Sequence, residues 1–159
     1  MTKVKAIPEG YHTITPYICV RGAKDAIAYY QKAFGAKEIM SMPDEKTGKI
    51  CHAELKIGDS MVMLADEFPE MNFLSPQSRG GSPIWLNLYV EDCDDVFKKA
   101  VEAGAQVVRP LADQFYGDRS GTITDPFGYS WTIATHKEDL SDEEISARAA
   151  KMNCTENKQ

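Results

Sequence analysis

Short runs in which apolar and polar residues alternate occur along most of the chain, and such alternation predicts half-buried strands. The first run, residues 12–20, carries isoleucine or valine at positions 14, 18 and 20, although Pro16 favours an edge or a bulge early in it. The runs that predict strands are 12–20, 36–42, 49–57, 60–65, 84–90, 107–111, 122–124 and 130–135.

Two segments between these runs have the spacing of amphipathic helices. In residues 24–34, Ile27, Tyr30 and Phe34 fall at i, i+3 and i+7 on one face. Residues 94–103 predict a second helix, which ends before a glycine, as helices commonly do.

The order strand, helix, strand, strand, strand occurs twice, about seventy residues apart. At this offset Val20 falls on Val90, and Gly58 falls on Gly128. Each copy presents a sheet face that it cannot bury alone. The sequence therefore predicts an α+β fold of two βαβββ modules with curved mixed sheets, followed by a C-terminal helix. Two facing concave sheets would enclose a pocket, and ligands tend to bind in such places.

Prolines and glycines mark the predicted boundaries between segments of the chain. The predicted organisation is an N-terminal arm (1–11), a first module (12–66), a linker with three prolines (67–83), a second module (84–136) and a helical tail (137–159). In the tail, Ser141 and Glu144 have the spacing of a capping box.

A hairpin at residues 116–136 is the strongest local signal in the second module. Its strands meet at an Asp-Pro-Phe-Gly turn, in which Pro126 fixes one dihedral angle and Gly128 can adopt the positive φ of a tight reversal.

Composition narrows the classes of function. Hydrophobic residues make up 43% of the chain, enough for a core. A formal net charge of -6 without a basic cluster disfavours nucleic acid and acidic membrane surfaces as partners. The four cysteines are scattered, which disfavours a disulfide framework or zinc knuckle and fits a reducing cytoplasm. Neither a signal core nor a transmembrane run is present, so we expect a cytoplasmic protein.

Three stretches carry a family resemblance. They are PYICVRGAKDAIAYYQKAFGA at 16–36, YGDRSGTITDPFGYSWTIATH at 116–136 and EDLSDEEISARAA at 138–150. With the double module, they resemble the vicinal oxygen chelate superfamily, which includes glyoxalase I, extradiol dioxygenases and the fosfomycin and bleomycin resistance proteins. Within it, the chain is similar to the PhnB-like branch. The resemblance implies a homodimer, because relatives commonly complete their concave sheets across a twofold axis.

The resemblance also implies positions for a divalent metal, with one ligand on the first strand and one on the last strand of each module. In this sequence the resemblance places the four ligand positions at Thr15, Val62, Trp85 and Thr132. None is a good ligand, since threonine hydroxyls bind divalent ions weakly without carboxylate or imidazole help. A slip of the register by one or two residues would bring in Asn87 or Tyr17, which do not complete a ligand set. We therefore expect no metal and no other cofactor.

His52 and Glu54 are the candidate catalytic pair. They are two residues apart, so they share one face of a strand. By the repeat that face is the concave one. The carboxylate would orient the imidazole and raise its basicity for proton transfer. The alternative is a cross-strand polar pair at the rim of the sheet.

Strand parity predicts a ligand-binding surface on the concave faces. Its candidate residues are Thr13, Thr15, Tyr17, Val62, Trp85, Asn87, Thr122, Thr124 and Thr132, together with the pair above. This mixture suits a neutral or mixed organic ligand better than a bare phosphate. Trp85 would either stack on a ligand or fill the centre of the fold. Arg119 would either clamp a ligand carboxylate or pair with Asp118 or Asp125.

The sequence thus favours a metal-independent protein that binds a small organic molecule. The first alternative is an enzyme on a small organic substrate, either of lyase or dioxygenase type or a metal-free acid–base catalyst. The second is a structural or regulatory dimer whose pocket is filled.

Overall fold

The computed structural model describes the backbone of residues 4–156 and the side chains of residues 4–152. Residues 1–3 and 157–159, the ends of the predicted arm and tail, lie outside this range.

The first module contains β1 (Tyr17–Val20), α1 (Ala23–Phe34), β2 (Lys37–Pro43), β3 (Ile50–Ile57) and β4 (Ser60–Asp66). The connection holds a 3-10 turn (Pro69–Met71) and α2 (Pro76–Arg79). The second module contains β5 (Trp85–Tyr89), α3 (Cys93–Glu102), β6 (Gln106–Asp113), β7 (Asp118–Thr124) and β8 (Ser130–His136), and α4 (Asp142–Glu156) follows.

Each module forms a four-stranded mixed sheet. The strand orders are β1-β4-β3-β2 and β5-β8-β7-β6, with the first and last strands of each module parallel and the other pairs antiparallel. The prediction of two βαβββ modules with a C-terminal helix is confirmed. Both module helices begin and end within one residue of the predicted limits.

One face of each sheet packs against a helix, and α1 also contacts α3. Leu55 and Leu64 are fully buried on this side of the first sheet, as Ile123 and Ile133 are in the second. Successive side chains of a strand point to opposite faces. The polar residues between these positions therefore lie on the other side, which we call the open face of each sheet.

β1 begins at Tyr17, so the prediction of a strand from residue 12 was wrong. Pro16 has no N–H to offer a ladder, although its carbonyl accepts a hydrogen bond from Met63 N at 2.9 Å. Before it, the Thr15 hydroxyl turns back to the carbonyl of His12 at 3.2 Å. Residues 4–16 consequently form an irregular arm.

The Asp-Pro-Phe-Gly turn connects the two modules. One carboxylate oxygen of Asp125 accepts the backbone N–H groups of Phe127 and Tyr129 at 2.9 and 3.0 Å. The other oxygen accepts the Tyr30 hydroxyl of α1 at 2.7 Å and the Trp131 indole N–H at 2.8 Å. Gly128 has φ +92°, and a Cβ there would lie 2.8 Å from a carbon of Pro76 in α2.

The predicted capping box of the tail helix is present. The Ser141 hydroxyl accepts from Glu144 N at 3.2 Å, and the Glu144 carboxylate accepts from Ser141 N at 2.9 Å. Two otherwise orphaned backbone donors are thereby satisfied. None of the helices within the described residues is long and apolar enough to span a membrane.

Candidate functional site on the open faces

A chain of four polar side chains lies across the open face of the first sheet. The Tyr17 hydroxyl is 2.9 Å from His52 Nδ1, and His52 Nε2 is 3.2 Å from a carboxylate oxygen of Glu54. The second oxygen of Glu54 accepts a hydrogen bond from the Tyr11 hydroxyl. We call Tyr11, Glu54, His52 and Tyr17 the open-face network. His52 and Glu54 lie together, as their spacing predicts.

The network fixes the charge of its members. The hydrogen bond from Tyr11 is the main cause that lowers the pKa of the Glu54 carboxyl below its ordinary value. The same bond raises the pKa of Tyr11 to about 12. Burial raises the pKa of Tyr17. At neutral pH the network therefore combines one carboxylate with two neutral phenols.

Tyr11 was missed by the sequence interpretation because it lies in the arm, where no periodicity assigns a side chain to a face. Its contact with Glu54 spans 43 residues of sequence. Thr15 lies in the same arm, is half-buried, and lines a cavity of about 530 Å³ together with Tyr11, Glu54 and Met63. The arm thus covers part of the open face.

The open face of the second sheet carries a separate row of polar groups. Asn87, Thr132 and Thr122 are paired across β5, β8 and β7, and the two threonine hydroxyls are 3.2 Å apart. Trp85 is 52% exposed, so it does not fill the centre of the fold. The Arg109 guanidinium lies 5.6 Å from the centroid of the Trp85 ring, a cation–π arrangement.

Val62 does not lie on the open face. It pairs with Leu55 and is buried on the helix side, whereas Met63 pairs with Glu54 on the open face. The physical reason is a difference of one residue between the two turns. In the turn between β3 and β4, two residues separate the paired Ile57 and Ser60. In the corresponding turn between β7 and β8, three residues separate Asp125 from Tyr129, whose carbonyl accepts a hydrogen bond from Asp125 N. An alignment that superposes the turn glycines therefore displaces the last strand by one position.

Arg119 also lies away from the open face. Its guanidinium holds both carboxylate oxygens of Asp94 at 2.7 Å and one oxygen of Asp113 at 3.2 Å. These partners replace Asp118 and Asp125, which the sequence interpretation named. The hydrogen bonds from Arg119 lower the pKa of Asp94. Arg119 therefore joins α3 to the sheet, and we do not retain it as a ligand-binding residue.

The residues at the superfamily's metal positions do not fit a divalent ion. With the register corrected, the positions hold Thr15, Met63, Trp85 and Thr132. Glu54 is the carboxylate nearest to them along the first sheet, and its two oxygens are engaged by Tyr11 and His52. Among the described residues, no group of three or more His, Cys, Asp or Glu side chains could hold a metal.

The structure thus defines an α+β protein of two βαβββ modules, each with polar groups on its open face. Residues 10–133 match the model of the Glyoxalase/Bleomycin resistance protein/Dioxygenase superfamily, and the chain belongs to this family. An uncharacterized protein of Mycobacterium tuberculosis is 40% identical over 137 residues, which cover 84% of this chain and 80% of that protein.

Two solved structures show the same fold. The PhnB protein of Bacillus cereus, described as a putative 3-demethylubiquinone-9 3-methyltransferase, has a TM-score of 0.61 at 18% identity over 78% of this chain and 99% of that one. The fosfomycin resistance protein FosX of Listeria monocytogenes has a TM-score of 0.62 at 17% identity over 84% and 97%. At these identities the likeness concerns the fold, and function depends on the site.

Proposed function

We propose that this protein binds a small organic molecule on its open faces without the superfamily's metal. The open-face network is the observation that carries the proposal. It arranges a carboxylate, an imidazole and two phenols across a sheet face where the metal positions hold no suitable ligands. Such a surface offers hydrogen bonds and ring contacts instead of coordination.

The second sheet adds complementary chemistry. Trp85 exposes an aromatic surface beside the cation of Arg109, and Asn87 and Thr132 supply an amide and a hydroxyl, which lies 3.2 Å from the hydroxyl of the buried Thr122. The Thr132 hydroxyl both accepts and donates, so it suits a neutral ligand. A bare phosphate would require more arginine and lysine than these faces present.

A thermal-shift screen in the presence of EDTA tests the proposal. A panel of neutral, cationic and anionic organic compounds should contain members that stabilise the protein although no metal is available. At a concentration near one hundred times Kd, a ligand raises the midpoint of unfolding by roughly 5–10 °C in a chain of this size. Glu54→Gln should weaken the binding of such compounds by about tenfold or more, because it removes a charged acceptor.

The matched control is Glu102→Gln, which changes an exposed glutamate on the outer side of α3. It should leave the ligand-induced shift unaltered. The proposal fails if no compound stabilises the protein in EDTA. It also fails if both Glu54→Gln and Trp85→Ala bind the stabilising compounds as tightly as the unchanged protein.

An acid–base enzyme acting on a small organic substrate is the second candidate. The hydrogen bonds from Tyr17 through His52 to Glu54 favour it, because an oriented imidazole is the usual agent of proton transfer. His52→Ala separates the two functions. Loss of turnover with retained binding assigns catalysis, whereas loss of binding without any turnover in the unchanged protein assigns a binding role.

We include a homodimer and a cytoplasmic location in the proposal. Members of this superfamily commonly dimerise. The buried thiols of Cys19 and Cys93 and the exposed thiol of Cys51 are free, as a reducing compartment allows. Light scattering that reports the mass of one chain at micromolar concentration would contradict the dimer.

A further inference from the structure

An apolar pocket lies beside the open-face network, under the connection between the modules. The segment after β4 returns across the first sheet and closes on itself through a bridge between Phe68 and Phe73. A cavity of about 570 Å³ lies beneath it. The cavity is lined by Tyr17, Cys51, Ala65, Phe68, Met71 and Phe73.

The Glu67 carboxylate anchors the segment that covers this pocket. Glu67 accepts hydrogen bonds from the hydroxyls of Ser75 and Ser78 at 2.7 and 2.6 Å and from the guanidinium of Arg21 at 3.0 Å. These bonds lower the pKa of Glu67 to about 2, so it remains an anion at neutral pH. The segment that carries Phe68 and Phe73 is thus anchored to the first module.

A β-bulge brings Cys51 to the floor of the pocket. Met42 pairs with His52, but the next residue, Pro43, pairs with Ile50, so Cys51 has no partner in the ladder. A bulge of this type redirects side chains beside the irregularity. Cys51 is exposed and lines the cavity one residue from the network.

Tyr17 joins the pocket to the network. Its ring meets the Phe73 ring edge-on, with centroids 5.8 Å apart, and its hydroxyl reaches His52. Beyond His52 lies the Glu54 carboxylate, which is negative and accepts a donor from the phenol of Tyr11. The Tyr17 hydroxyl is therefore the polar group at the edge of the aromatic pocket, whereas Glu54 lines a different cavity on the other side of His52.

We propose that the pocket binds the ring of an uncharged or cationic aromatic ligand whose O–H or N–H group is donated to the Tyr17 hydroxyl. This inference rests on the proposed function and specifies the class of ligand. Phenols and aromatic amines have the required donor. Aromatic carboxylates do not belong to the class, because they lack this donor and the negative charges of Glu67 and Glu54 disfavour them.

Alkylation of Cys51 reports on the pocket directly. Cys19 and Cys93 are buried, and Cys154→Ser removes the fourth cysteine of the sequence. N-phenylmaleimide and N-ethylmaleimide react with a thiolate by the same addition. The rate of the phenyl reagent divided by that of the ethyl reagent, measured with glutathione, therefore gives the intrinsic reactivity ratio of the two reagents. At Cys51 this ratio should be roughly tenfold higher, because ring contacts hold the phenyl group in the pocket. Mass spectrometry of timed samples measures both rates.

Two variants localise the effect. Phe73→Ala should return the rate ratio to that of glutathione, whereas Phe115→Ala, at a half-buried phenylalanine of the second module, should retain the raised ratio. Met71→Ala changes a 74% exposed lining residue and should lower the ratio without a risk to folding. A ratio in the unchanged protein equal to that of glutathione overturns the inference.

Protection experiments test the polar end. Phenol should slow the alkylation of Cys51 in a saturable manner, and benzoate at equal concentration should not. Equal protection by both compounds, or by neither, contradicts the inference. Should these results be negative while the EDTA screen still yields ligands sensitive to Glu54→Gln, the proposed function stands and only the assignment of this pocket and ligand class fails.

Discussion

Asp125→Ala should lower the free energy of unfolding by about 3–5 kcal/mol. The substitution leaves four buried donors without an acceptor: two backbone N–H groups of the turn, the Tyr30 hydroxyl and the Trp131 indole. Burial raises the pKa of the Asp125 carboxyl, but alanine restores no hydrogen bond to any of these partners. Urea unfolding followed by far-ultraviolet circular dichroism measures the change.

Asp125→Asn should cost less, because the amide retains one oxygen for the backbone donors. Asp59→Ala is the matched control, since Asp59 lies exposed in the turn between β3 and β4 and accepts only a local hydrogen bond from Ser60 in the described contacts. It should change the free energy of unfolding by less than about 0.5 kcal/mol. An Asp125→Ala loss no greater than that of the control would mean that the turn does not connect the modules.

Tyr129→Phe should lower the free energy of unfolding by about 2–3 kcal/mol. The Tyr129 hydroxyl accepts from Cys19 N at 3.1 Å and donates to Cys19 O at 2.9 Å. Cys19 belongs to β1, an edge strand of the first sheet. Loss of the hydroxyl leaves both backbone groups unpaired and buried, which folded proteins avoid. The measurement is the same urea titration.

Tyr116→Phe removes the same hydroxyl at a site where the ring is 39% exposed and packs against Phe115. Water replaces any hydrogen bond there, so the control should stay within about 0.5 kcal/mol of the unchanged protein. Similar losses in both variants would show that β1 does not depend on the second module for its backbone pairing.

The repeated fold could be predicted because its signals are local. Alternation within 49–57 and 60–65, the helical spacing of Ile27 and Tyr30, and the turn around Gly128 each depend on a few neighbouring residues. The predictions failed where one residue changed the register. The predicted strand from residue 12 continued through Pro16 as an edge or a bulge, whereas the strand begins only after this residue. The placement of Val62 did not account for the longer turn of the second module.

The candidate site was predictable only in part, for the same reason. Parity alone brings His52 and Glu54 to one face, and the structure places them within hydrogen-bonding distance of each other. Tyr11 and Phe73 reach this face from an irregular arm and a connecting segment, where no period assigns a direction to a side chain. Cys51 reaches it through a bulge, which strict alternation excludes.

The metal content of the purified protein tests the central claim, that the open faces bind a ligand without a divalent ion. The protein should be dialysed against nickel, zinc, manganese and iron in turn, then against metal-free buffer, and analysed for each element. The account predicts that no ion is retained in stoichiometric amount, because Thr15, Met63, Trp85 and Thr132 offer no adequate ligand set. One retained ion per chain would contradict it, and His52 and Glu54 would then be the first residues to mutate.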